Sequence, residues 1–352
     1  MLNPLLLKDS AIQIALILKG EDLYNLCSTN KQLLTWICNN PQFWNQKIKQ
    51  DFKINIYEIL GRSGASSDYR FLHNIKDKTP SVLNDLLIDE SKVGNIDHVK
   101  LLLNNGADIH AEDDYALRLA AVGHRDVVEL LLKNGADIHA GEDEALRLAA
   151  LDGYRDVVEL LLNYGANIHA ENDEALIYAA RECHKDVVEL LINHGANIHA
   201  DDDYVLRLAA EYGDRAVVEF LFDNGANIHA KNNWALRWAA GKGHRDVVEL
   251  LINYGANIHA ANNYALIFAA GNGHKDVVEL LLTNGADIDA ANDEALREAA
   301  RRGHIDVVEL LLKNGANIHA RNDGALREAA GTGHRDIVEL LLKNGANPAV
   351  LN

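Results

Sequence analysis

The sequence predicts an all-α protein: a solenoid of about nine short units with short hairpin turns, preceded by a small helical domain. Three observations carry this. Gly106, Gly135, Gly165, Gly195, Gly225, Gly255, Gly285, Gly315 and Gly345 are spaced by 29 residues once and by 30 thereafter, and each opens Gly-Ala-Asp/Asn-Ile except the last, which ends in Pro348. Between successive glycines the polar and apolar residues read as two helices. Residues 1–80 lack this rhythm. A fixed period in this range marks units that cannot bury an apolar face alone and stack on their neighbours.

The first domain is expected over residues 1–60. In "LKGEDLYNLCSTNKQLLTWICNNPQFWNQKIKQDF" short helices are predicted after Asp22, after the Ser28-Thr29-Asn30 cap, and around Phe43, Trp44 and Ile48. Residues 61–80 are expected to be a linker, with "GRSGASS" at 61–67 as a flexible joint. The array is expected over 81–352, with residues 81–111 and 331–352 as atypical capping units.

Within the array, "DEALRLAALDGYRDVVELLLKNG"-type segments define the unit. Asp143 is expected to N-cap the first helix, Ala149-Ala150 allow close helix approach, and Gly153 breaks the helix. The second helix starts near Arg155-Asp156, where Asp156 complements the helix dipole. It buries Val157, Val158, Leu160, Leu161 and Leu162. Glu129–Lys133, Glu309–Lys313 and Glu339–Lys343 are outward pairs at i,i+4, and Asn134-Gly135 closes the last turn in the left-handed conformation. Cys183 stands where every other full unit carries the inter-helix glycine. A side chain in a left-handed position costs about 1–2 kcal/mol, so this is the expected weak joint.

The recurring "LRLAAxxGHxDVVELLLxxGADIHA" resembles the ankyrin repeat over roughly residues 81–352. The unit is about three residues shorter than the usual ~33, and the missing residues fall between Ile-His-Ala and the first helix, which predicts a stunted projecting hairpin. The family's Thr-Pro-Leu-His entry is replaced by Glu-Ala-Leu-Arg or Tyr-Ala-Leu-Arg. In the first domain, the order Asp-Leu-x-x-Leu-Cys, Asn-Lys, Ile-Cys and Phe-Trp over residues 10–52 resembles the F-box, which implies docking on the Skp-type linker of cullin-based ubiquitin ligases. The two-part layout is similar to that of proteins from large (giant) DNA viruses.

Net charge is −18, unevenly shared: residues 1–80 hold 10 Lys and Arg against 7 Asp and Glu, and residues 81–352 hold 24 against 45. An array that acidic repels phosphate backbones, which argues against nucleic acid as a partner. The apolar run Ala11–Leu18 is too short to span a membrane and lacks the features of a secretory signal. Cys27, Cys38 and Cys183 form no CxxC pair, which fits a reducing compartment. The expected location is cytoplasmic, the host cytoplasm for a viral protein, with the nucleus as the alternative. A monomer is expected.

His110, His139, His169, His199, His229, His259 and His319 form a ladder with Asp289 in its one gap. Rungs about 8–10 Å apart cannot share one zinc, whose ligands lie about 2 Å away, so each imidazole is assigned to bonding a turn. Gly241-Lys242-Gly243-His244 lacks the Walker spacing of a phosphate loop, and no HExxH, GxSxG or Cys-His nucleophile pattern occurs. No catalytic residue, cofactor or metal is expected.

What varies between units is informative. The residue before Ala-Leu (Val205-Leu206 in one unit) runs Tyr115, Glu144, Glu174, Tyr204, Trp234, Tyr264, Glu294, Gly324, and a second row runs Leu119, Leu148, Tyr178, Leu208, Trp238, Phe268, Glu298, Glu328. Aromatics thus cluster in the middle units within a polar surround, the composition of a binding hot spot; the other reading is that the rings fill gaps between units. Tyr212, at a position that faces partners in ankyrin binders, extends the patch. A further row, Arg118, Arg147, Arg207, Arg237, Arg297 and Arg327, is interrupted by Ile177 and Ile267 and is expected mainly to pair with carboxylates. The expectation is a non-catalytic adaptor. It captures a protein target through Tyr178, Tyr204, Tyr212, Trp234, Trp238, Tyr264 and Phe268, while Leu23, Leu26, Leu33, Phe43 and Trp44 contact the ligase linker. The alternative is a plain ankyrin scaffold or host-protein binder with no ligase link.

Overall fold

The structure, a computed structural model, describes residues 15, 18, 40–52 and 66–351. Among these every regular element is helical and no strand occurs. The chain divides into two compact units, the described residues up to 149 with 154–167, and 150–153 with those from 168 onward.

The first unit holds α1 (Pro41–Phe52), α2 (Ser66–Ile75), α3 (Pro80–Lys92), α4 (Ile96–Asn104), α5 (Ala111–Ala120), α6 (Arg125–Lys133), most of α7 (Ala140–Leu151) and α8 (Arg155–Asn163). In the stretch expected to be a linker, α2 is a helix whose Leu72 and Ile75 are buried and which packs on α1 and α4. Phe71 stacks on His98 at 3.7 Å between ring centroids. The glycine- and serine-rich composition of 61–67 hid this helix, because its apolar residues all lie later, from Phe71 to Ile75.

The second unit holds α9 (Glu174–Arg181), α10 (Lys185–Asn193), α11 (Ala200–Tyr212), α12 (Arg215–Asp223), α13 (Ala230–Lys242), α14 (Arg245–Asn253), α15 (Ala260–Gly271), α16 (Lys275–Thr283), α17 (Ala290–Arg302), α18 (Ile305–Lys313), α19 (Ala320–Thr332) and α20 (Arg335–Lys343), closed by a 3-10 turn over Pro348–Leu351. First helices pack on first helices and second on second, α11 on α13 and α12 on α14 for example. The alanine pairs Ala209-Ala210, Ala239-Ala240 and Ala269-Ala270 are fully buried at the first contact, and Val217, Val218, Val247 and Val248 at the second. Small side chains let the first helices approach closely, and the β-branched pairs fill the space behind them.

The stunted hairpin expected between units takes the form of a left-handed turn. Three consecutive residues at the entry to each first helix, from Glu112–Asp114 to Arg321–Asp323, have φ between 46° and 62°; except at Glu171–Asp173 they lie just inside the ranges given above, and regular helix begins after them. Such residues cost about 1–2 kcal/mol each unless they are glycine or, less expensively, Asn or Asp. Asn and Asp fill most second and third positions. The third is always a buried Asp or Asn whose side-chain oxygen accepts the backbone N–H of a residue in the next turn: Asn167 to Asp143 at 2.6 Å, Asn227 to Asp203 at 2.7 Å, Asn257 to Asn233 at 2.8 Å. Asp143 is therefore not the N-cap expected of it. Its carboxylate joins one unit to the next, and a buried hydrogen bond of this kind offsets part of the backbone strain.

Candidate protein-binding surface

The variable positions of α11, α13 and α15 come together on one face of the second unit. Trp234 and Trp238 lie one turn apart in α13 with centroids at 4.9 Å. The Trp238 ring meets Phe268 of α15 edge-on at 5.2 Å, and Phe268 meets Tyr264 at 5.5 Å. The Arg207 guanidinium lies between Tyr204, 4.9 Å away, and Trp234, 5.3 Å away. Arg237 lies over Tyr264 at 5.6 Å, and Lys242 over Trp238 at 5.7 Å. Tyr204, Trp234, Trp238 and Phe268 are half-buried, and Tyr264 is exposed. The rings thus both fill the space between first helices and present their outer edges to solvent, combining the two readings of the sequence. Cation–π stacking of this sort contributes about 0.5–1 kcal/mol at exposed sites.

Gly241 is part of this surface, since a Cβ there would overlap the Phe268 ring. Sequence reasoning noted Gly241 but not as a seat; the signal for that was its coincidence with a phenylalanine in the following unit. Neighbouring Gly243, at φ 82°, leaves room for the His274 imidazole, whose Nδ1 would lie 2.5 Å from an added Cβ. Two other expected residues sit apart. Tyr178 is tied within its own helix, its hydroxyl donating to Glu174 at 2.6 Å and its ring under Arg181. Tyr212 is exposed at the end of α11 with no ring partner among the described residues.

The arginine row has a role beyond the expected pairing with carboxylates. Arg147, Arg207, Arg237 and Arg327 donate to the backbone carbonyl six residues earlier, at 2.7–2.9 Å, and Arg118 does the same. Each thereby ties down the first residue of its left-handed turn. Carboxylate pairing comes in addition, as Arg118–Glu144, Arg207–Asp201 at 3.3 Å and Arg297–Glu328 at 3.0 Å. The sequence hid this role because the acceptor is a main-chain atom.

The histidine ladder bonds the same turns. Nδ1 of His139, His199 and His319 lies 3.0–3.1 Å from the buried Asp four residues on, and His229 and His259 face Asn233 and Asn263. His124, His184, His244, His274, His304 and His334 form a second series. Each uses Nε2 on a carbonyl of the preceding unit at 2.8–3.1 Å, in the space left by an inter-helix glycine. Cys183 is left-handed, at φ 61°. Opposite it the series is broken by Asp214, which caps α12 by accepting from the Ala216 and Val217 amides.

Electrostatics follow from these contacts. Burial lowers the Arg237 pKa below its ordinary value, while Arg301 holds the Glu298 carboxyl below the usual carboxylate range. Burial, with Asp289 adding to it, pushes Asp293 up. Among the described residues no group of three or more His, Cys, Asp or Glu is placed to hold a metal ion, and no helix is long and apolar enough to cross a membrane. Of the residues expected to meet a ligase linker, Leu23, Leu26 and Leu33 lie outside the described residues. Phe43 and Trp44 are buried in α1, edge-to-face at 5.1 Å. As they stand they pack that helix and offer no side chain to a partner.

Stacked two-helix units with constant cores and a variable first-helix face define a repeat scaffold for protein–protein interaction. The ankyrin-repeat family, as three-copy arrays, matches residues 139–202, 206–292 and 266–352, and the single ankyrin repeat matches 112–143. The chain belongs to the ankyrin-repeat family. It is similar to the crystal structure of the human ASB11 ankyrin repeat domain, with 26% identity and a TM-score of 0.53, over 58% of this chain and 98% of that one. No curated protein matches significantly.

Proposed function

We propose that the chain is a non-catalytic adaptor that captures a protein target on the face formed by Tyr204, Trp234, Trp238, Tyr264 and Phe268, with Tyr178 and Tyr212 at its margin. The observation that carries this reading is the run of solvent-reaching rings on three successive first helices, packed on one another in α13 and α15 and joined to Tyr204 of α11 through the Arg207 guanidinium. Large rigid aromatics with a polar surround concentrate binding energy. No residue of the chain does chemistry in this scheme, and its product is proximity.

The F-box resemblance over residues 10–52 supports a second element of the proposal. Residues 1–60 would dock on a Skp-type linker through Leu23, Leu26 and Leu33, bringing the target to a cullin-type ubiquitin ligase in a cytoplasm, that of a host if the chain is viral. Burial of Phe43 and Trp44 favours the alternative of a plain scaffold or host-protein binder whose first domain has no ligase link.

Co-purification of the full chain with a Skp-type linker tests the ligase link, with Leu26→Asp as control. Retention lost in the control supports the adaptor, and folded wild type that is not retained leaves the scaffold. For the array, Trp234→Ala and Trp238→Ala are expected to weaken target capture by more than about 1 kcal/mol each with helical content unchanged. Loss of helicity instead would assign both rings to the core.

A further inference from the structure

We propose that Arg237 is a carboxylate-receiving subsite at the centre of the aromatic face, so that the segment bound there carries an Asp or Glu beside an apolar side chain. This rests on the reading of that face as a protein-binding surface and specifies the chemistry of what it binds.

The array supplies its own template for the contact. Where the following unit provides a glutamate, the arginine of this row takes it, as Arg118 takes Glu144. At Arg237 the corresponding residue of the following unit is Tyr264, so the internal anion is gone and a ring stands in its place. Other arginines of the row within the second unit find carboxylates elsewhere, Arg207 in Asp201 and Arg297 in Glu328. Arg327 has none but is exposed, away from the rings. Arg237 is half-buried, donates one hydrogen bond to the Lys231 carbonyl at 2.9 Å, and has no carboxylate within ion-pairing distance among the described residues. In a chain of net charge −18 this is an uncompensated guanidinium whose one ring contact among the described residues is with Tyr264.

A planar guanidinium with open donors matches a carboxylate by two parallel hydrogen bonds, and such charge-assisted bonds strengthen where water is excluded. Trp234, Trp238 and Tyr264 would supply that exclusion and the surface for the adjoining apolar side chain. Burial already disfavours the lone cation, as its lowered pKa records, and an incoming anion relieves that cost. The surrounding acidic array opposes a polyanion such as nucleic acid, whereas a single carboxylate in an apolar context meets little repulsion.

The probe is a displayed library of random twelve-residue peptides panned on the full chain. Enriched peptides are then measured against their Asp→Asn or Glu→Gln versions. The proposal expects an acid next to an aromatic or aliphatic residue, and a loss of tenfold or more when the acid becomes an amide. Arg237→Gln should bind the acidic peptide no better than the amide version, while its affinity for the amide version is unchanged. Ile177 and Ile267 occupy this position in sister units, so the fold tolerates loss of the guanidinium, and Arg237→Ile serves as a second variant with a sister residue. Enrichment without acids, or acidic peptides indifferent to both variants, overturns the subsite. If Trp238→Leu, again a sister residue, abolishes binding while Arg237→Gln does not, the aromatic surface stands and the subsite falls. Peptides indifferent to both positions, or no enrichment at all, sink both.

Discussion

Cys183 and Asp214 are coupled by space, and a double-mutant cycle measures the coupling. At the sister joints with a histidine opposite, a Cβ added to the inter-helix glycine would lie 2.3–2.9 Å from the next unit's histidine Nδ1, as at Gly153 with His184 and Gly213 with His244. The one full unit with a side chain at this position is followed by the unit that carries aspartate, not an imidazole. Cys183→Gly removes a left-handed side chain, a gain of about 1–2 kcal/mol, partly offset by about 0.4–1 kcal/mol of added unfolded-state entropy. Asp214→His alone loses the α12 cap, about 1 kcal/mol, and forces a ring against Cβ, about 1–3 kcal/mol of overpacking. In the Cys183→Gly background the ring fits, and its Nε2 reaches the Arg181 carbonyl for about 0.5–1.5 kcal/mol, which balances the lost cap. The coupling energy is therefore about 1.5–4.5 kcal/mol by these same terms. Urea unfolding of the four proteins, followed by tryptophan fluorescence, measures it. An Asp214→His penalty that is the same in both backgrounds to within about 0.5 kcal/mol would refute the steric argument.

Three further outcomes are expected. Gly241→Ala displaces the Phe268 ring, which should cost about 1–3 kcal/mol and change the near-UV circular dichroism; an unchanged spectrum and midpoint would show that the ring is not seated there. Asp203→Ala removes the acceptor of the Asn227 amide and should cost about 0.5–1.5 kcal/mol, while Asp203→Asn, the residue used at Asn233 and Asn263, should be close to neutral by urea midpoint; equal losses would remove the hydrogen bond from the explanation. Asp293 has a raised folded pKa, so its ionised form is disfavoured in the fold at pH 7 and the penalty disappears as the group protonates. Asp293→Asn should raise the urea midpoint at pH 7 by an amount that shrinks as pH falls through the raised carboxylate range, and a gain that grows on acidification would reverse the sign of that reasoning.

The helix pairs, their buried valine and alanine positions and the closing glycines were legible in the sequence because each rests on a local period or a residue with one dominant conformation. The left-handed turns were not, although runs such as Asn232-Asn233 and Asn262-Asn263 favour that backbone. The sequence there fits an N-cap equally well, and the deciding bond, from a side chain to an amide about 24 residues on, is invisible to local patterns. The arginine row was half legible for a related reason: charge suggests a carboxylate partner, which Arg118, Arg207 and Arg297 have, while all six also donate to a main-chain carbonyl. At the aromatic face the rings were foreseen, but the seating of Phe268 at Gly241 and the stacking of Lys242, Arg207 and Arg237 on the rings are set by how side chains meet in space. The helix Ser66–Ile75 escaped because its sequence opens on residues that favour turns.

Because bonds between units run from the same place in one to the same place in the next, a thirty-residue block cut at equivalent positions can be gained or lost with every amide and imidazole still meeting an acceptor. Copy number can therefore drift without redesign of any interface. The exception is any thirty-residue excision that begins between residues 184 and 214, which would bring His244 opposite Cys183 and install a collision that the present order avoids. The array should tolerate changes in length almost everywhere except across that single irregular pairing, which marks its order as well as its size as a heritable trait.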